Sequence, residues 1–190
     1  MTTRDAQAPA DAQFIGRWSP RAFNGEALSH AQVMTLIEAA RWAPSCFNSQ
    51  PWRFIYATKD SEHWPAMLNL LMDMNQAWAQ HAGALIAVVS RNTFQGNDAP
   101  APTHSFDTGA AWMSMALQAQ HMGLAAHAMW GFHHDQAADA LKLPEYFSTQ
   151  ALIAFGHPAP AEALPDPLRE REVPSPRKAL SELMFNGAMG

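Results

Sequence analysis

The sequence has few of the features that mark secreted, membrane-spanning or disulfide-stabilised proteins. A single cysteine, Cys46, among 190 residues excludes a disulfide within the chain and is compatible with a reducing compartment. No apolar run approaches the roughly 18 residues that a membrane-spanning helix needs. The polar, alanine-rich segment 2–12 lacks the basic and apolar regions of a signal peptide. We therefore expect a cytoplasmic protein without a membrane partner.

Charged residues are also scarce, at 15% of the chain, and the formal net charge is −5. Proteins that bind nucleic acids usually present a basic face, so this balance argues against a nucleic-acid partner. The hydrophobic fraction of 48% and the seven tryptophans argue against disorder. A chain of this length predicts one domain, residues 1–190, with a sizeable buried core.

Several catalytic signatures are missing as well. The chain has no Gly-x-Gly-x-x-Gly fingerprint of a dinucleotide-binding domain and no Gly-x-Ser-x-Gly elbow that would make Ser45 a hydrolase nucleophile. No base can be named that would activate Cys46. The nine histidines do not follow metal-ligand spacing, and the adjacent His133 and His134 would point apart on a regular element. We predict no metal site and no nucleophilic side chain.

What the sequence does contain is a stiff polar loop, bracketed by Pro44 and Pro51, in the stretch from Ala43 to Phe54. A helix with a Ser29–Gln32 capping box precedes it, and a strand from Trp52 to Ala57 follows it. The loop side chains are small and polar: Ser45, Asn48, Ser49 and Gln50. They suit the edge of a planar heterocycle, because amides both donate and accept, but such residues also dominate ordinary turns.

A second pattern is Arg17-Trp18-Ser19-Pro20-Arg21, in which two arginines flank a serine. Guanidinium groups and a hydroxyl can bind a phosphate or another anion. A solvated charge cluster is the alternative interpretation.

The remaining chain predicts alternating helices and strands. We expect helices at Ala12–Gly16, Pro65–His81, Asp107–Met122 and Asp135–Leu141, strands at Ala84–Ser90, Leu124–Trp130 and Gln150–Phe155, an irregular loop at Arg91–Ser105, a proline-rich extended arm at Pro158–Pro176, and a short last element at Leu180–Phe185. The strand Ala84–Ser90 is apolar throughout, which predicts a central strand buried on both faces.

Together the two motifs resemble the paired signature of the nitroreductase family. Ala-Pro-Ser-x-x-Asn-x-Gln-Pro-Trp-x-Phe begins at Ala43 and follows Arg-Trp-Ser-Pro-Arg-Ala-Phe, which begins at Arg17. The resemblance extends from near Phe14 to near Phe185. It implies an α+β fold with a mostly antiparallel sheet flanked by helices, an intertwined homodimer, and an FMN at each subunit interface.

The resemblance also implies which residues bind the cofactor. Arg17, Ser19 and Arg177 would hold the phosphate, Arg21 would lie near the ribityl and pyrimidine portion, and the Met129–Gly131 backbone would pass the reactive edge of the flavin. The complete implied set is Arg17, Trp18, Ser19, Arg21, Pro44, Ser45, Cys46, Asn48, Gln50, Asn75, Met129, Trp130, Gly131, Arg177 and Lys178. No catalytic side chain is implied, because the cofactor carries the chemistry.

The implied reaction passes a hydride from NADH or NADPH to the flavin and then to a small electron-poor acceptor, such as a nitroaromatic or a quinone. Activated-aldehyde reduction, dehalogenation and non-enzymatic flavin binding are the alternatives. Two positions depart from the family pattern. Trp78 stands where many members carry a lysine, and Ser175 stands where a basic residue is usual.

Overall fold

A computed structural model describes residues 4–189, and its centre is a four-stranded antiparallel sheet with strand order β1-β2-β4-β3. The strands are β1 Trp52–Thr58, β2 Ala84–Arg91, β3 Ala125–Met129 and β4 Phe147–Gly156. The helices are α1 Ala12–Gly16, α2 His30–Arg41, α3 Trp64–Asn69, α4 Asp73–Ala79, α5 His104–His121, α6 His134–Ala140 and α7 Asp166–Arg169. Short 3₁₀ turns lie at Cys46–Asn48, Ala161–Ala163 and Leu180–Glu182. The predicted α+β class with an antiparallel sheet is confirmed.

Helix α2 begins as its sequence predicts. The Gln32 N–H donates to Ser29 Oγ at 3.2 Å, and the Ser29 N–H donates to Gln32 Oε1 at 2.9 Å, so both halves of the capping box are formed. The apolar face of α2 is buried through Val33, Leu36 and Ala40 and packs against α5.

Strand β2 is the buried centre of the sheet, as its unbroken apolar run predicts. It pairs with β1 on one side and with β4 on the other, and its residues from Ala84 to Ser90 are all buried. Alternate side chains point to opposite faces, so β2 contributes Leu85 to one apolar cluster and Ile86 to the other.

The predicted helix from Pro65 to His81 is wrong as one element, since it is divided into α3 and α4. Leu71, between them, is fully buried and forms an isolated β-bridge with Phe132. Because this pairing requires an extended backbone, the helix is interrupted there. Trp78 continues in α4 as a buried core residue, stacked on Phe23 with ring centroids 6.2 Å apart.

Helix α5 begins three residues earlier than predicted, at His104, and neither Ser105 nor Asp107 caps it. Thr103 is the N-cap, and its hydroxyl donates to Asp107 Oδ2 at 3.1 Å, within the first turn. The predicted end is confirmed, because Gly123 follows the C-cap with φ +69°. The preceding loop closes on itself through a bridge between Thr93 and Pro100.

The strand pairing determines which segments share one end of the sheet. Trp52 pairs with Ser90, Arg91 pairs with Phe147, and Met129 pairs with Leu152. The loop before β1 and the chain after β3 therefore lie at the same end but at opposite edges, three strand spacings or about 14 Å apart. None of the helices within residues 4–189 is long and apolar enough to cross a membrane.

Candidate cofactor site

A cavity of about 330 Å³ lies between the chain after α1, strand β3 and the C-terminal segment. Arg17 is half-buried at its wall, and its Nη1 donates to Trp18 O at 3.2 Å and to Ser19 Oγ at 3.3 Å. The lining residues are Arg4, Arg17, Trp18, Ser19, Arg21, His127, Arg171, Val173, Ser175 and Arg177. Five of the ten carry a guanidinium group, so the cavity is strongly positive.

Arg4 joins the N-terminal and C-terminal walls of this cavity. Its Nη1 donates to the carbonyl oxygens of Ile15 and Arg17, both at 2.7 Å, and its Nε donates to Ser175 O at 3.0 Å. Burial lowers the pKa of Arg4 and of Arg17, and the nearby charge of Arg177 lowers both further. The guanidinium groups therefore repel one another, and a bound anion would relieve that repulsion.

Glu172 is the acidic residue that holds the wall carrying Arg21. Its Oε1 accepts from the backbone N–H groups of Arg21 at 2.6 Å and Ala22 at 2.8 Å. Its side chain is 3% exposed, and its Oε2 lies 3.8 Å from Arg21 Nη1. That Oε2 has no hydrogen-bond partner among residues 4–189. The Glu172 carboxylate thus offsets part of the positive charge of Arg21. That charge is the reason for expecting Arg21 near a flavin.

His127 connects strand β3 to the same wall. Its Nδ1 lies 2.9 Å from Pro20 O, and because a carbonyl oxygen only accepts, Nδ1 carries the proton. The imidazole also contacts the buried Trp78 ring, with centroids 4.6 Å apart. Burial lowers the pKa of His127 to about 4, and the charges of Arg21 and Arg17 act in the same direction. The side chain is therefore neutral near pH 7.

A second group of predicted residues meets where β3 ends. Asn75 Nδ2 donates to Gly131 O at 2.9 Å, and a Cβ at position 131 would lie 2.7 Å from that nitrogen. A side chain at position 131 would therefore displace the Asn75 amide and weaken its hydrogen bond to Gly131 O. Met129 beside it is buried, whereas Trp130 is 74% exposed.

The third group is the loop before β1, and its backbone is strained. Phe47, Asn48 and Gln50 have positive φ values of 51°, 54° and 46°, which non-glycine residues rarely adopt. The Gln50 N–H donates to Ser45 Oγ at 3.0 Å. Asp107 holds the loop from outside, because the Cys46 N–H donates to its Oδ2 at 3.2 Å.

The structure thus brings the predicted residues together in three groups. Arg17, Trp18, Ser19, Arg21 and Arg177 line the arginine cavity; Asn75, Met129, Trp130 and Gly131 meet at the end of β3; Pro44, Ser45, Cys46, Asn48 and Gln50 form the loop at the β1 edge. Lys178 lines a neighbouring groove between the two terminal segments rather than the cavity. Strand β3 connects the first two groups, whereas the third lies across the sheet.

Four residues of these groups escape the sequence patterns: Arg4, His127, Glu172 and Asp107. Arg4 and Glu172 act across sequence separations of 171 and 151 residues, which no local motif reports. The separation of 61 residues between Cys46 and Asp107 hides that contact in the same way. Within the described range, no three His, Cys, Asp or Glu side chains are arranged to hold a metal ion.

Comparison with known proteins identifies relatives of this chain. The nitroreductase family model matches residues 15–76 and 61–157. A crystal structure of an oxidoreductase containing FMN is 44% identical, with a TM-score of 0.95, over 100% of this chain and 99% of that chain. An FMN complex from Desulfovibrio desulfuricans is 26% identical, with a TM-score of 0.73, over 97% and 100% of the two chains. An NADH dehydrogenase of Thermus thermophilus is 27% identical over 80% of this chain and 89% of that protein.

The family model covers well over half of the sequence, so the chain belongs to the nitroreductase family.

Proposed function

We propose that this protein is an FMN-dependent oxidoreductase that takes a hydride from NADH or NADPH and delivers it to a small electron-poor acceptor. The observation that carries the proposal is that an arginine cavity and the glycine at the end of β3 lie along one edge of the sheet. The FMN-containing relative that spans the whole chain supports the cofactor, and the Thermus NADH dehydrogenase supports the hydride donor.

The residues at the arginine-cavity end of this sheet edge fit a phosphate. Five arginines and one glutamate, Glu172, surround the cavity, which leaves a formal excess of four positive charges. Arginine offers planar pairs of N–H donors that match phosphate oxygens, and charge-assisted hydrogen bonds are among the strongest in proteins. We assign the phosphate to Arg17, Ser19 and Arg177.

The residues at the Gly131 end of this sheet edge fit a flat ring. His127, which lines the cavity, and Gly131 are four residues apart, or about 13 Å along an extended chain. This separation suits a ligand whose phosphate and ring are joined by a five-carbon chain. At the ring end, the Asn75 side chain donates to the Gly131 carbonyl oxygen and so fixes it. Gly131 presents only its backbone to a ligand there.

When bound, FMN would supply the hydride acceptance and release, so the chain need not provide an acid or a base. Its own residues would bind and orient. Arg17 and Arg177 would anchor the phosphate, and Arg21 would add positive charge, in part balanced by Glu172. Trp130, beside Gly131, and Met74, beside Asn75, are 74% and 83% exposed and would exclude water from the reacting face.

We also propose that the second subunit of a homodimer completes each site. The loop Pro44–Gln50 carries donors and acceptors for a heterocycle, yet it lies about 14 Å from the β3 edge, at the opposite side of the sheet. A flavin bound along β3 would therefore lie across the sheet from its own chain's loop. A partner's loop would supply the missing contacts and would cover the exposed Phe47.

The visible spectrum of the purified protein tests the proposal. We expect a yellow protein whose flavin absorbance is bleached by NADH or NADPH without oxygen and is restored by an acceptor. Heat release and chromatography should recover FMN. Recovery of FAD, or no flavin after reconstitution, would disprove the cofactor assignment, and bound FMN that no pyridine nucleotide reduces would favour a flavin-binding module. A panel of nitroaromatics, quinones, activated aldehydes and halogenated compounds then identifies the acceptor class.

A further inference from the structure

The two peptide groups that flank the Gly131 Cα have an unusual hydrogen-bond pattern. Gly131 O accepts from the Met72 N–H at 3.1 Å and from Asn75 Nδ2 at 2.9 Å. Trp130 O accepts from the Phe132 N–H at 3.0 Å and lies 2.9 Å from His134 Nε2. The Gly131 N–H, in contrast, makes no hydrogen bond to any residue in the range 4–189. Both carbonyls are fixed, and the donor between them is left for a ligand.

The bond from Phe132 is a weak restraint by itself. It closes a three-residue turn with Gly131 at the centre, and such turns have poor hydrogen-bond geometry. Glycine has no side chain to hold its own peptide plane. A second hydrogen bond to Trp130 O would restrain the direction of the Gly131 N–H more firmly.

His134, the first residue of α6, is placed to do this. A carbonyl oxygen can only accept, so the contact between His134 Nε2 and Trp130 O requires a proton on Nε2. The imidazole itself contacts two rings, with its centroid 4.4 Å from that of Trp130 and 3.8 Å from that of Phe132. The donor is thus oriented by packing before any ligand binds.

We infer that His134 is a positioning residue: by holding the Trp130 carbonyl, it aims the Gly131 N–H at the reactive edge of the bound ring. The inference rests on the proposed function, because it takes that ring to be the flavin. His134 itself does not touch the reacting atoms in this assignment. Its effect passes through one peptide plane, which can be observed directly.

Two substitutions separate the donor from the ring. His134→Gln keeps an N–H donor that can reach the carbonyl, whereas His134→Phe keeps a ring beside Trp130 and Phe132 but has no donor. His134→Leu is a second donor-free variant in case the phenylalanine disturbs α6. His63→Phe, at an exposed histidine far along the chain, is the matched control.

Nuclear magnetic resonance can observe the peptide alone. Trp130-Gly131 is the one Trp-Gly pair in the sequence, so protein labelled with carbonyl-¹³C tryptophan and ¹⁵N glycine gives a single correlated signal. We expect His134→Phe and His134→Leu to shift the Trp130 carbonyl and the Gly131 amide signals, in flavin-free and FMN-loaded protein alike. His134→Gln should return both signals toward their wild-type positions, and His63→Phe should leave them unchanged.

The rate of flavin reduction by the pyridine nucleotide gives the functional result. We expect His134→Phe to lower it about threefold to tenfold, the effect of losing one neutral hydrogen bond, and His134→Gln to recover most of the rate. Unmoved signals in both donor-free variants would overturn the inference, and so would moved signals with an unchanged reduction rate. Failure of the wild-type protein to bind FMN would instead overturn the proposed function, while the carbonyl signal would still decide whether His134 holds the peptide.

Discussion

The carboxylate of Glu172 holds Arg21 by its main chain and faces its guanidinium group, with Oε1 2.6 Å from the Arg21 nitrogen and Oε2 3.8 Å from Nη1. The two residues are 151 positions apart, so this contact fixes the C-terminal segment to the start of the domain. An unpaired buried charge or a lost acceptor would be costly here. The wall of the arginine cavity therefore depends on an acidic residue.

We predict that Glu172→Ala destabilises the protein by roughly 3–6 kcal/mol, because it removes two hydrogen bonds to a charged group, each of which contributes about 1.5–3 kcal/mol. Glu172→Gln keeps an acceptor for both N–H groups and should cost less. Urea unfolding measures the difference, and the exposed Glu170→Ala is the control. Equal stability of Glu172→Ala and Glu170→Ala would show that the buried carboxylate does not stabilise the wall.

Removing Arg177 should have different effects on the flavin-free protein and on FMN binding. In the flavin-free protein its charge repels Arg4 and Arg17, whose pKa values it lowers. Arg177→Ala should therefore leave the flavin-free protein as stable as the wild type or slightly more stable. FMN affinity should fall about tenfold to a hundredfold, and Arg17→Ala should weaken it similarly, since each loses a charge-assisted bond.

Thermal unfolding with and without FMN, together with fluorescence titration of FMN, checks this pair of expectations. Arg169→Ala is the matched control, because Arg169 pairs with Asp166 at 2.8 Å and does not line the cavity. If both cavity variants bound FMN as tightly as Arg169→Ala, the phosphate assignment would be wrong.

His127 gives a pH dependence whose sign follows from its burial. Its pKa in the folded protein is lowered to about 4 from an ordinary 6.5, so the unfolded chain binds the proton more tightly. Stability should therefore be fully present above about pH 6.5 and should fall as the pH drops toward 4. The loss is at most about 3.5 kcal/mol, since each pKa unit corresponds to about 1.4 kcal/mol.

Urea unfolding at pH 7 and pH 5 measures this loss. His127→Gln should flatten the difference between the two pH values, whereas His63→Gln, at an exposed position, should not. A wild-type slope that His127→Gln leaves intact would assign the acid sensitivity to other groups.

Local patterns predicted much of the fold because the forces behind them are local. The Ser29–Gln32 capping box, the apolar run of β2 and Gly123 after α5 each depend on neighbours within a few residues. The break between α3 and α4 could not be predicted this way. It depends on the pairing of Leu71 with Phe132, which are 61 residues apart in the chain.

The residues of the candidate site likewise fall into those that a local motif predicts and those that only the folded chain brings together. Arg17, Ser19 and the loop after Pro44 were predicted because their motifs are contiguous. Glu172 and Arg4 carry no motif, and only the folded chain brings them to the cavity. Gly131 was predicted as a position of close approach to a ligand, and the structure adds a close contact within the chain, since a Cβ at position 131 would lie 2.7 Å from Asn75 Nδ2.

Asp107 offers a test of the strained loop. Asp107→Ala removes the acceptor of the Cys46 N–H and of the Thr103 hydroxyl, so the loop should open more often. Cys46 is the single cysteine, so its rate of modification by a thiol reagent reports this opening. We expect a rate severalfold above the wild-type rate for Asp107→Ala and a smaller rise for Asp107→Asn, while the exposed Asp135→Ala should match the wild type. Equal rates in Asp107→Ala and Asp135→Ala would show that Asp107 does not hold the loop.

The final prediction concerns the two subunits. If each flavin is held by Arg17 and Arg177 of one chain and by Ser45 and Asn48 of its partner, a monomer has half a site. One variant should then combine Arg17→Ala with Arg177→Ala, and the other should combine Ser45→Ala with Asn48→Ala. Each homodimer would lack one half of both of its sites.

Co-refolding the two variants should produce a heterodimer with one intact site and one doubly damaged site. We expect the isolated heterodimer, purified through two different affinity tags, to recover up to half of the wild-type FMN binding and reductase activity. The mixture of separately folded homodimers is the control. Because the loop and the β3 edge are about 14 Å apart across the sheet of one chain, recovery is expected only if the loop acts on the partner's flavin. A heterodimer that forms but recovers nothing would show that each site is built within a single chain.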